Sequence, residues 1–142
     1  MGKRTEGCIM NDSFLDQLIE RFYPKSAEKI RVILATNFLL EKLANAVYIK
    51  LDKYVQQYAD ISERIISLVH ILQDWQKGAY RAISYKNVSI GVFVLLYFVN
   101  PYDFIPDFIP LIGKKDDDFF VKKGLVYLDA EIQKYNQWKR QQ

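Results

Sequence analysis

Four carboxylates carry the clearest chemical signal in this chain: Asp103, Asp107, Asp116 and Asp117 fall close together in the stretch NPYDFIPDFIPLIGKKDD, residues 100–117. Folded together by a turn, they would form an oxygen-only cluster of the kind that Mg²⁺, Ca²⁺ or Mn²⁺ prefers. Without a cation, carboxylates so close would repel one another and raise some of their pKa values. The competing role is structural, each Asp accepting backbone amides that a proline-rich turn and a helix start leave free. We favour this structural role and keep a divalent-cation site, hydrolytic or not, as the alternative. No nucleophile motif, Gly-rich phosphate loop or zinc-ligand spacing accompanies the acids. A carboxylate acting as general base therefore has no visible partner, and the chain reads more readily as a non-enzyme.

Two other groups bear on these acids. Arg81, next to Tyr80, precedes the segment, and its pairing with one of the Asp residues would relieve the repulsion without any metal. His70 is the only histidine, and Asp74 follows it by four residues. That is the spacing of a pair on a helix surface.

The segment itself is irregular by composition. Asp103–Pro106 and Asp107–Pro110 both read DFIP. Each proline removes an amide donor and pushes the preceding Ile105 or Ile109 toward extended backbone. Yet Phe104, Ile105, Phe108, Ile109, Leu111 and Ile112 are apolar and call for burial. The spacing predicts a turn between two helices whose backbone must find partners nearby.

The elements that would position this turn are helices. Phe14, Leu15, Leu18, Ile19 and Phe22 recur at helical spacing up to Pro24. Ser26 opens a second, longer helix with the face Ile30, Leu34, Ala44, Tyr48, Leu51, Val55 and Tyr58. That face broadens around Phe38, Leu39 and Leu40, which predicts burial on more than one side. Asp60 and Glu63 have capping-box spacing ahead of Ile61, Ile65, Leu68, Leu72 and Trp75, a stripe ending near Gly78. Val88–Val99 (VSIGVFVLLYFV) holds one serine and no charge, so it must be surrounded by protein or by lipid until Asn100 and Pro101 stop it. A last helix is predicted from Asp116 through Val121, Leu125, Leu128, Ile132 and Tyr135 to Trp138. Gly91 and Gly124 fall inside helical patterns, where close packing between the two hairpin helices or simple tolerance would account for them.

The fold class is therefore all-α: a single-domain bundle of about five helices with a proline-rich, Asp-containing hairpin turn between the last two. A chain of 142 residues, 50% hydrophobic, can bury one substantial core. The net charge of +3 is scattered among acids, so a nucleic-acid partner is not expected. One cysteine, Cys8, fits a reducing compartment, and no apolar run follows the basic N-terminus, so secretion is not expected.

Asn100, Pro101, Asp103, Ile105, Pro106, Asp107, Ile109, Pro110, Gly113, Asp116 and Asp117 fit the pattern NP-x-D-x-IPD-x-IP-x-x-G-x-x-DD, preceded by an apolar helix ending LLYFV. This pattern resembles the YkvA-like family (domain of unknown function 1232), a widespread bacterial domain. The resemblance runs loosely from about Gly78 to KYNQW near the C-terminus. It divides the chain into residues 1–77, helices without a recognised motif, and 78–142, a YkvA-like helical hairpin, together one folded unit. Family members often carry an aromatic and an aliphatic residue between the glycine and the paired acids, where this chain has Lys114 and Lys115. The resemblance implies a helix, a proline-rich turn and a second helix, often membrane-associated, and it implies no substrate.

The physics of a membrane role is mixed. The apolar run is short against the roughly twenty residues of a span. Extending it to Ile112 brings in Asp103 and Asp107, at roughly 2.5 to 3.5 kcal/mol for each charge at mid-bilayer. A hairpin with both ends cytoplasmic is easier, because Lys77, Arg81 and Lys86 precede the run and Lys114, Lys115, Lys122 and Lys123 follow it. We therefore expect a non-enzymatic module on the cytoplasmic side of a membrane, or in the cytoplasm, with a membrane, a membrane protein or another protein as partner. A soluble helical protein-interaction domain is the further alternative.

Overall fold

The computed structural model describes residues 26–100 and 117–142, with residues 117–119 described by their backbone alone. Among them the chain is all-α: α1 (Ser26–Ala35), α2 (Asn37–Lys53), α3 (Ser62–Lys77), α4 (Tyr85–Val99), α5 (Asp117–Tyr127) and α6 (Asp129–Arg140). The helix expected over residues 12–22 lies outside the described residues.

The central element is α4. Ser84 caps it, its Oγ accepting the Asn87 amide at 3.1 Å, and every residue from Val88 to Phe98 is buried. Such an all-round apolar helix needs neighbours on every side, and α2, α3 and α5 supply them. Each fully buried Val, Leu, Ile or Phe stabilises the fold by about 1.5–3 kcal/mol. Protein, not solvent, thus surrounds the run that the sequence assigns to protein or lipid. Among the described residues no single helix is long and apolar enough to cross a membrane, although α1 and α2 pass by length and composition as a pair bent by 105°.

That bend replaces the single helix expected from Ser26 to Tyr58. At Thr36 the backbone turns extended, with φ −127° and ψ 108°, and no side-chain cap is made there. The corner is held from α3: Gln76 Nε2 donates to the carbonyls of Ile33 (3.3 Å) and Leu34 (2.9 Å), and Asn37 Nδ2 donates to Gln76 Oε1 (3.3 Å). The Leu34 carbonyl is thus satisfied by a side chain 42 residues away, and the Ile33 carbonyl, which already accepts the Thr36 amide at 3.2 Å, gains a second donor 43 residues away. The broad apolar face around residues 38–40 resolves accordingly. Leu40 is buried, while Phe38 is 71% exposed.

Two cap and charge pairings also differ from expectation. Ile61, not Asp60, occupies the N-cap of α3 and makes no side-chain cap, while Asp60 pairs with Lys122 at 3.3 Å. The far end agrees: Gly78 takes a left-handed φ of 83° and its amide donates to the Asp74 and Trp75 carbonyls. Asp74 is drawn inward to Tyr135 and Lys139 rather than outward to His70, which is exposed. The last helix begins at Asp117 and is interrupted at Leu128, so one predicted element becomes α5 and α6.

The core is one cluster shared across Gly78, joining residues such as Leu40 and Leu72 to Phe93, Leu125 and Tyr135. Gly124 lets α5 approach α4 closely, since a Cβ there would lie 2.5 Å from Val94 Cγ2. Gly91 faces α3 instead of α5, where a Cβ would lie 2.9 Å from Leu68 Cδ1.

Candidate functional site

The two ends of the proline-rich stretch emerge together. Phe120, one turn into α5, packs on Tyr97 with ring centroids 4.3 Å apart and edge-on to Phe93 at 5.8 Å, while Gly124 lies on Val94. The chain therefore leaves α4 at Asn100 and re-enters α5 at Asp117 at the same end of the bundle, running antiparallel. Lys122 and Asp60 bring the turn after α2 to that end as well.

The C-terminus of α4 is closed by α2. Lys50 Nζ donates to the Phe98 carbonyl at 2.5 Å and lies 4.9 Å from the Phe98 ring and 5.8 Å from the Tyr58 ring. A cation there opposes the negative end of the helix dipole while its stem covers apolar surface. Tyr58 in turn packs edge-on against Phe98 at 4.9 Å.

Beside this end runs an open groove of about 620 Å³. One wall is α1, with Glu28, Lys29, Val32 and Ile33; the other is α2, with Leu39, Lys42, Leu43 and Ala46. Leu96 and Val99, in the last turns of α4, close its floor. The groove is apolar apart from three charged residues, and Glu28 among them is held by Arg31, whose guanidinium lowers the Glu28 pKa through a hydrogen bond and charge attraction. On the outside of α2, Phe38 and Ile49 are 71% and 68% exposed, and their eleven-residue separation places them on one face.

The sequence-predicted site residues divide sharply. Asn100 is the exposed C-cap of α4, its amide donating to the Leu96 carbonyl at 2.9 Å, and Asp117 opens α5. Pro101, Asp103, Ile105, Pro106, Asp107, Ile109, Pro110, Gly113 and Asp116 lie outside the described residues. Arg81 lies over the Trp75 ring at 4.4 Å. It precedes α4, whose fifteen residues, about 22 Å of helix, separate it from Asn100. Among the described residues, no group of three or more His, Cys, Asp or Glu side chains could hold a metal ion.

Sequence reasoning missed the groove and the exposed face of α2. The signal present was the excess width of apolar positions 38–40, which reads as extra burial when periodicity alone is used. Part of it is a surface.

Residues 89–121 match the family described as "Protein of unknown function (DUF1232)". The chain is similar to the "Uncharacterized membrane protein YkvA" of Bacillus subtilis (strain 168), 31% identical over 81 residues that cover 56% of this chain and 74% of that relative. No solved structure matches it.

Proposed function

Because the chain belongs to the YkvA-like family of proteins of unknown function (DUF1232), we propose that it is a non-enzymatic helical module that docks on the cytoplasmic face of a membrane. Its contact region is the bundle end bearing residues 100–117 together with the outer face of α2; a membrane-embedded protein is the alternative partner. The observation that carries this reading is the exposure of Phe38 and Ile49 on one face of α2, with Lys42 and Lys53 also exposed on that helix. Large apolar side chains interleaved with lysines on a surface helix suit the headgroup boundary of an anionic bilayer. The curated relative's description as a membrane protein supports the same reading. In it the acids Asp103, Asp107, Asp116 and Asp117 serve the turn rather than a reaction.

Co-sedimentation with vesicles tests it. The protein is expected to pellet with vesicles containing phosphatidylglycerol and to release at high salt, as surface electrostatics require. The double variant Phe38→Ser, Ile49→Ser should lose most of this binding while melting normally. A protein that stays wholly in the soluble fraction of cells at native level, and ignores anionic vesicles, overturns the proposal.

A further inference from the structure

The outer face of α2 carries more than its two apolar residues. Phe38, Lys42, Asn45, Ile49 and Asp52 follow one another at spacings of four, three, four and three, and all five are exposed. That is the spacing of a coiled-coil seam, a stripe that meets a second helix along its length. Its charges are of opposite sign, and neither Lys42 nor Asp52 is in an ion pair among the described residues. An anionic bilayer attracts Lys42 and repels Asp52, so a lipid surface matches only part of the stripe. A partner that presents both signs matches all of it.

The stripe is complementary to itself. Lys42 and Asp52 lie five residues on either side of Val47, about 7.5 Å of helix each way. A two-fold axis at the level of Val47 runs two α2 helices antiparallel and sets Lys42 of each copy opposite Asp52 of the other. The two Ile49 side chains then meet beside the axis, each about 3 Å from its level. Phe38 reaches the far end of the other helix, where Tyr54 and Val55 are 41% and 58% exposed. A parallel pair would instead set Lys42 against Lys42 and Asp52 against Asp52, so charge selects the antiparallel one. We propose that, away from a membrane, α2 pairs in this way with α2 of a second copy of the chain and so covers Phe38 and Ile49. The pairing itself needs no membrane; its role, hiding the docking face until a bilayer displaces the second copy, rests on the membrane-docking reading. One helix pair buries less than the roughly 1,200 Å² of a stable complex, so the pair is weak and concentration-dependent, as a displaceable cover must be.

Sedimentation velocity of the full-length protein should show a monomer–dimer equilibrium that shifts with concentration. Lys42→Asp and Asp52→Lys, each studied alone, set like charges opposite each other and should raise the dissociation constant several-fold. Mixed in equal amounts they should pair again, since each then offers the other an opposite charge, and the double variant should pair with itself. Both sites are exposed, and thermal melts check that the variants fold. Donor- and acceptor-labelled copies should lose energy transfer when vesicles containing phosphatidylglycerol are added. A monomer at every concentration, or single variants that pair as the unaltered protein does, would overturn the pairing and leave membrane docking intact. Energy transfer that persists on sedimented vesicles would overturn the hiding of the face. Pairing without any sedimentation on vesicles would remove the docking reading and leave the pair standing.

Discussion

The phenol of Tyr135 donates to Asp74 Oδ2 at 2.5 Å, a bond across 61 residues of sequence that ties α6 to α3. Lys139 Nζ reaches the same carboxylate oxygen at 3.5 Å, and the Asp74 carbonyl accepts the amides of Ala79 (2.8 Å) and Tyr80 (3.2 Å). One residue thus holds the last helix by its side chain and the turn after Gly78 by its backbone. Tyr80 then packs edge-on against Tyr135 at 5.0 Å and lies 4.9 Å from Trp138.

Tyr135→Phe keeps the ring and removes the donor. Hydrogen bonds to charged groups contribute roughly 1.5–3 kcal/mol, so a loss in that range is expected from denaturant unfolding. A change under about 0.5 kcal/mol, the scale of an ordinary surface substitution, would show that Lys139 alone satisfies Asp74.

The same tyrosine makes stability fall in alkali. Burial first, and then its bond to Asp74, push the Tyr135 pKa well above the ordinary tyrosine value. Below about pH 10 both folded and unfolded forms keep the proton and the contribution is whole. Above that, the unfolded chain loses the proton first, so stability declines as pH rises toward the folded value. Tm measured from pH 9 to 11 should fall less steeply in Tyr135→Phe. Some slope will remain, because burial also raises Tyr80 and Tyr48.

The two helical glycines should part company. Gly124→Ala sets a Cβ 2.5 Å from a methyl of Val94, a β-branched side chain with little freedom to yield. Overpacking of roughly 1–3 kcal/mol should outweigh the gain of about 1 kcal/mol in helix propensity. Gly91→Ala meets the flexible tip of Leu68 at 2.9 Å and should be closer to neutral. Val94→Ala should rescue the first variant and do nothing for the second, as a double-mutant cycle would show.

Gln76→Ala tests the corner at Thr36. It leaves the Ile33 and Leu34 carbonyls without that donor, and a destabilisation of roughly 1–3 kcal/mol is expected. Hydrogen exchange should accelerate first in α1. Uniform acceleration would mean that the bend is held by core packing alone.

Divalent cations should leave thermal unfolding unchanged if Asp103, Asp107, Asp116 and Asp117 serve the turn. A midpoint that rises with Mg²⁺, Ca²⁺ or Mn²⁺ and ceases to rise in Asp117→Asn would assign a cation to the acids instead.

By itself the sequence determined what depends on near neighbours along the chain. Helical spacing of apolar residues placed α3 and α6, the uncharged run from Val88 to Val99 required enclosure, which it has as far as Phe98, and Gly78 ended its helix because only glycine takes a left-handed φ cheaply. The motif between Asn100 and Asp117 likewise carried the family. Tertiary structure alone decided the break at Thr36, the turn of Asp74 toward Tyr135 instead of His70, and the groove between α1 and α2. In each case a group dozens of residues away supplied the deciding contact, or failed to cover an apolar side chain. Local spacing cannot encode which distant partner will arrive. Hence Phe38, which periodicity counted toward the core, remains on the surface, where it now marks the face most in need of testing.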